Sequence, residues 1–146
     1  MNAKHALLIV TLAATVFAGA AGAQTAPNDT LFQQLGARPG LVALTDAFMV
    51  RLLADPRMSP FFKDIDQKVF KSQLVDQLCE VSGGPCKFKG KDMKTVHEGQ
   101  DITRSNFNAL VEVLQQSMDA QGIPFGAQNR LLAQLAPMHR EIINAP

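Results

Sequence analysis

The sequence predicts an all-α domain built from several helices of uneven length. Three observations carry this. From Asp29 onward, apolar residues recur at spacings of three and four, the period of one helix face. No alternating apolar–polar run of the kind that marks a half-buried strand occurs. Helix breakers punctuate the periodic stretches at Gly36, Asp55-Pro56, Gly83-Gly84-Pro85, Gly99 and Gly122-Ile123-Pro124. There is no internal repeat.

Residues 1–23 stand apart from this pattern. Lys4 and His5 precede an apolar run, Ala6 to Ala18, and small residues end at Ala21-Gly22-Ala23 before Gln24. This is the layout of a secretory signal peptide, with cleavage expected after Ala23. The run is shorter than the roughly 20 apolar residues that a membrane-spanning helix needs; the competing reading is an uncleaved anchor. Residues 24–28 form a polar, Pro-containing leader expected to be mobile, and residues 29–146 form one domain, long enough for a real core. The expected location is the periplasm or the exterior. Cleavage removes one of the 14 Lys+Arg and none of the 13 Asp+Glu, so the remaining charges balance. A clustered basic excess for nucleic acid is absent, and no second apolar span follows, so no membrane span is expected in the mature chain.

The elements follow in order. Asp29 or Thr30 caps a short helix carrying Leu31, Phe32 and Leu35, stopped by Gly36. Pro39 suits the first turn of a second helix, whose inner face holds Leu41, Leu44, Phe48 and Leu52 up to Asp55-Pro56. Ser59-Pro60 starts a single turn that presents Phe61 and Phe62. Asp66 opens a long helix to about Val81. Phe70, Leu74 and Leu78 stack along one face of it, with Gln73 and Gln77 at the border. Cys86 to Gly90 is a basic loop containing Phe88, and Asp92 to Glu98 is a brief helix released by Gly99. Thr103 caps the next helix, with Phe107, Leu110, Val111, Leu114 and Met118 on one side. A last helix is expected from about Gly126 to Ile143, with Leu131, Leu132, Leu135, Met138 and Ile142 inward and a kink at Pro137.

The chemistry-bearing residues are few. No Ser lies in a G-x-S-x-G elbow, and no Gly-rich phosphate loop is present. No C-x-x-C-H occurs, which argues against a covalently attached c-type haem. Cys79 and Cys86 lie close enough in sequence for a small-loop disulfide in an exported chain, or are free thiols. No further Cys or nearby His pair completes a zinc site. His97 remains the leading candidate: an imidazole four residues after Met93, between glycine-rich stretches, suited to bind the iron of a flat apolar cofactor. Taken alone, such a histidine is more often a core or surface residue than a ligand.

Three stretches carry a family resemblance. They are LFQQLGARPGL, FMVRLLADPRMSPFF and LVDQLCEVSGGPCKFKGKDMKTVHEGQDIT, the last with its G-G-P…M-x-x-x-H…I-T run. Together they resemble, collinearly from about Leu31 to Ile143, the group I truncated haemoglobins, small globins with a two-over-two helical sandwich. The resemblance implies haem b as cofactor and oxygen, nitric oxide or another small gas as partner. It puts His97 at the proximal position, the axial bond to iron, with the other ring nitrogen donating to a backbone carbonyl. Met93 falls where a residue packs on the proximal haem face. Phe62 matches the aromatic wedged against haem, and Phe48 an inner wall. Phe70, Leu74 and Leu78 match the distal face; Ile102, Phe107 and Leu110 match the proximal and inner walls. His139 inherits no role. Lys87, Lys89, Lys91 and Lys94 form a basic run in which one lysine could meet a haem propionate.

The chain departs from the family at three places. Ala37 stands where a second glycine is usual. Met49 stands where a tyrosine normally faces the bound gas, and Leu74 occupies the companion glutamine position. Losing a donor to a partly charged ligand costs about 1.5–3 kcal/mol, or ~10–150-fold in affinity. Gln73 is the distal polar candidate that could supply an amide instead. Reversible gas binding is the leading expectation. Nitric oxide dioxygenation, which some relatives perform, would need a reductase and is weakened by the missing tyrosine. The alternative is a periplasmic electron-transfer or redox-sensing haem protein with Met49 as sixth ligand.

Overall fold

The computed structural model describes residues 30–146; the readings on the signal peptide and leader fall outside the described residues. Helices α1 (Leu31–Gln34), α2 (Ala37–Ala54), α3 (Ser59–Phe62), α4 (Gln67–Val81), α5 (Met93–His97), α6 (Arg104–Ala120), α7 (Phe125–Leu135) and α8 (His139–Ile142) follow one another, with a 3₁₀ turn at Ala136–Met138 between the last two. No strand occurs among the described residues, and none of their helices is long and apolar enough to cross a membrane. Two pairs, α2 with α4 and α6 with α7, stack through α2–α6 and α4–α7 contacts into a two-over-two sandwich.

The caps do what their residue types allow. The Thr30 hydroxyl accepts from Gln33 N (3.3 Å), and the Asp66 carboxylate accepts from Val69 N (3.0 Å). Thr103 and Asn106 form a reciprocal capping box that fixes the start of α6. Because α2 packs against both α4 and α6, it buries a broad set: Leu41, Leu44, Thr45, Phe48, Met49 and Leu52. The Thr45 hydroxyl donates to Leu41 O (2.8 Å), so its burial leaves no orphan donor.

Two turns depend on backbone that passes unusually close. At the α1–α2 corner, a Cβ on Gly40 would lie 2.1 Å from Leu35 O. After α4, a Cβ on Gly84 would lie 2.6 Å from Cys79 Sγ and 2.7 Å from the Phe32 ring. Gly84 must therefore be glycine because the chain passes between an aromatic ring and the Cys79–Cys86 disulfide (S–S 2.04 Å). That bond ties the last turn of α4 to the loop leading to α5.

The second helix begins at Ala37, and Pro39 sits in its first turn as expected, where a missing N–H removes no intrahelical bond. One expectation from the sequence needs correction: the last helix is not one kinked element. It divides at Pro137, which cannot donate to an α-helical acceptor, so α7 ends at Leu135 and α8 restarts at His139.

Ala37 adopts φ 51°, a left-handed conformation that costs a Cβ-bearing residue about 1–2 kcal/mol. Glycine there would relieve that strain and lose part of the gain to unfolded-chain entropy. Ala37→Gly should therefore stabilise the fold by about 0.5–1 kcal/mol, raising Tm by ~2–5 °C in a thermal unfolding scan. An unchanged or lower Tm would show that the turn stores no such strain.

Candidate functional site

The site is built around a very short helix. α5 has five residues, too few to persist alone in water, so its ends are held from outside. At its start, Asp92 accepts from Thr95 N (2.8 Å) and from the Thr95 hydroxyl (2.7 Å). These bonds, the backbone one foremost, hold the Asp92 carboxyl below its usual range. At its end lies His97. Its Nδ1 is 2.7 Å from Met93 O. A carbonyl can only accept, so Nδ1 carries the proton and Nε2 presents a free lone pair.

His97 lines a cavity of about 640 Å³, within the ordinary range for a cofactor site. The distal wall is α4, contributing Phe70, Gln73, Leu74 and Leu78. Met93 lies on the His97 side, and Phe48, Phe62, Phe107 and Leu110 complete the anticipated lining. Phe62 and Phe70 meet edge to face, centroids 5.3 Å apart. A smaller adjoining cavity of about 310 Å³ is also walled by His97, Phe62, Phe70, Gln73, Phe107 and Leu110, and adds Ile102. The imidazole thus stands where the two spaces meet.

Met49 is the exception among the anticipated lining residues. It is 3% exposed, belongs to the buried core and lines neither cavity. Sequence register put Met49 beside Phe48, but its position on α2 turns it into helix packing. Reading the helix faces also left Leu132, Leu135, Met138 and Ile142 as plain core, whereas they close the far end of the larger cavity. Their inward periodicity was the available signal. Gln77, read as a border residue, lines the cavity too. Its Nε2 lies 3.5 Å from Met93 Sδ and 3.6 Å from Met138 Sδ, both weak acceptors.

The polar surroundings anchor the loop between α4 and α5. Glu80 accepts from Phe88 N (3.0 Å) and pairs with Lys87 (3.3 Å). The Phe88 bond first, then Lys87, lowers the Glu80 carboxyl pKa. Of the four lysines in the basic run, Lys91 reaches the cavity. His139 Nδ1 lies 2.8 Å from Ala136 O, and its ring meets Phe107 at a 60° tilt with the centroids 6.3 Å apart.

These features fit a haem rather than a bare metal ion. No group of three or more His, Cys, Asp or Glu that could hold an ion occurs among the described residues, and one neutral imidazole cannot hold a metal by itself. It can serve as the axial ligand of an iron already held by a macrocycle. The apolar walls match the faces of a porphyrin, and Lys91 offers a cation for an acidic edge.

Comparison with known proteins points the same way. Residues 30–144 match the family model described as bacterial-like globin. A group 1 truncated haemoglobin of Mycolicibacterium paratuberculosis is 30% identical over 113 residues, covering 77% of this chain and 83% of the relative. One from Chlamydomonas moewusii is 33% identical over 135 residues, covering 87% and 79%. The crystal structure of the truncated haemoglobin of Tetrahymena pyriformis in its Fe(III) form superposes with a TM-score of 0.76 at 27% identity, covering 79% of this chain and 98% of that one. With the fold, the cavity and the sequence in agreement, the chain belongs to the bacterial-like globins, as a group 1 truncated haemoglobin.

Proposed function

We propose that His97 Nε2 is the axial ligand to the iron of haem b, the cofactor of this family. Opposite it the protein reversibly binds a diatomic gas, oxygen or nitric oxide, after export from the cytoplasm. The observation that carries the reading is the 2.7 Å bond from His97 Nδ1–H to Met93 O, which fixes the tautomer and leaves the outward nitrogen free at an apolar wall. When bound, haem supplies the iron that holds the gas. The chain supplies the rest. Met93 would pack against the haem on the His97 side, Phe62 and Phe70 would flank it, and Phe48, Leu74 and Leu78 would keep the space over α4 dry. Met49 lies in the core and not on the cavity wall, which speaks against it as a sixth ligand; the Cys79–Cys86 pair is the feature that remains for the redox alternative.

Gln73 is solvent-exposed on α4 and borders both cavities. It is the polar side chain nearest in register to the apolar Leu74. A swing inward would bring its amide over the gas. Nitric oxide dioxygenation would additionally need an external reductase, for which nothing in the fold speaks.

Three measurements test this. His97→Gly should lose the iron–histidine band in resonance Raman of the ferrous protein and regain a five-coordinate imidazole spectrum when free imidazole is added. A band that survives the substitution would overturn the assignment and implicate His139. Gln73→Leu should raise the oxygen dissociation rate about two- to fivefold, the gain from a donor less the rotamer freedom given up in ordering it; an unchanged rate removes Gln73 from the site. Expression of the full chain in a secreting bacterium should yield periplasmic protein whose mass begins at Gln24, whereas an intact N-terminus would refute export by cleavage.

A further inference from the structure

We propose that Asn144, in the tail beyond α8, is a positioning residue for the His97 imidazole. The inference rests on the reading of His97 as the iron ligand. The Asn144 amide uses both of its ends. Its Nδ2 donates to His97 O at 2.7 Å, and its Oδ1 accepts from Ile102 N at 2.7 Å. The backbone repeats the connection: Asn144 N donates to Ile102 O at 3.0 Å, and Ala145 N donates to the same oxygen at 3.1 Å. One tail residue therefore fastens both ends of the turn that leaves α5.

That turn needs fastening. Gly99 (φ 74°) and Asp101 (φ 52°) are both left-handed, and a non-glycine residue stays there only where its surroundings hold it. Otherwise, the carbonyl of His97 has only Gln100 N, at a long 3.3 Å. α5 is one turn long and has no cooperative reserve. α8 also packs against α5, so the tail leaves α8 at the right place to reach His97. Ile102 is 8% exposed and forms part of the smaller cavity's wall. Asn144 thus couples the end of the ligand helix to the adjacent cavity wall. Asparagine suits this position because it offers a donor and an acceptor on one short planar group. Aspartate keeps the acceptor for Ile102 N but turns a second oxygen toward the His97 carbonyl.

The test uses the full chain loaded with haem and compares Asn144→Ala and Asn144→Asp with the unaltered protein. Transfer of haem to excess apomyoglobin should be about 5–30-fold faster in both variants, the loss expected for one or two hydrogen bonds. The iron–histidine band of the ferrous protein should shift or broaden, which general destabilisation would not cause in the folded, haem-loaded population. In the apoprotein, amide hydrogen exchange at Ile102 should accelerate in Asn144→Ala and much less in Asn144→Asp. An unchanged transfer rate and band in Asn144→Ala would overturn the proposal, even if Ile102 exchanges faster. If the alanine variant fails to fold, the aspartate variant decides by the same two readouts. Failure of the underlying reading is separable, because His97→Gly would then retain the band whatever Asn144 does.

Discussion

The bond between His97 Nδ1–H and Met93 O is the constraint on which the rest of the site depends. An imidazole has two nitrogens and, when neutral, one proton. Whichever nitrogen is pinned to an acceptor determines which one is left as a ligand. Here the acceptor is the carbonyl one turn earlier in the same short helix, so the tautomer is set by local helical geometry rather than by a distant carboxylate. The arrangement is only as firm as α5 itself. The Asp92 cap at one end, the tail at the other and the preceding loop tied back to α4 by Glu80 and the disulfide all keep a five-residue helix in register.

A small globin has little core to spare, and the same residues must fill it and line the cavity. Leu78 and Leu114 are buried in the central cluster and also face the large cavity. Phe62, Phe70, Leu74 and Leu110 are only partly buried and pack against that cluster. They should therefore gain cover when a flat apolar group enters, and cofactor binding and folding become partly the same event. The disulfide takes some of the load that a larger core would carry. Cys79 is 0% exposed at the end of the distal helix, and its partner lies in the loop that leads to the proximal side. The covalent link thus ties the end of the distal helix to the loop that carries the chain to α5.

Much of this was legible in the sequence, because it is written in local periods. The inner faces of α2, α4 and α6, the caps at Asp66 and Thr103, and the glycine break after α4 all follow from spacing and residue type. The division at Pro137 was half visible: the proline marks a fault, but whether a helix bends or restarts depends on what packs beyond it. Three features were not legible. The left-handed Ala37 needs the α1–α2 corner to be known. The inward turn of Met49 into helix packing depends on α2 being covered on two sides. Asn144 meets His97 across a separation of 47 residues, and no local pattern announces a contact of that range. What long-range contact decides, single-sequence reading cannot reach.

The distal side poses a problem of magnitudes. α4 presents Phe70, Leu74 and Leu78 toward the cavity, with two amides, Gln73 and Gln77, on its flank. They are four residues apart and so lie on one stripe. Neither sits at the centre of the wall, where Leu74 stands. A donor to a partly charged ligand contributes about 1.5–3 kcal/mol, but ordering a glutamine side chain costs up to ~1.5–2 kcal/mol of rotamer freedom. The net gain from an exposed Gln73 that must swing inward is therefore ~1 kcal/mol or less, roughly fivefold in affinity. A tyrosine, with fewer torsions to freeze, would lose less to entropy in making the same bond. Replacing tyrosine by a core methionine and moving the donor to a mobile amide thus narrows the advantage of a ligand that accumulates negative charge over one that does not. On the proposed reading, this pocket separates oxygen from nitric oxide less by hydrogen bonding than by iron chemistry, and the protein's control over its ligand passes to the proximal side, where His97 is held.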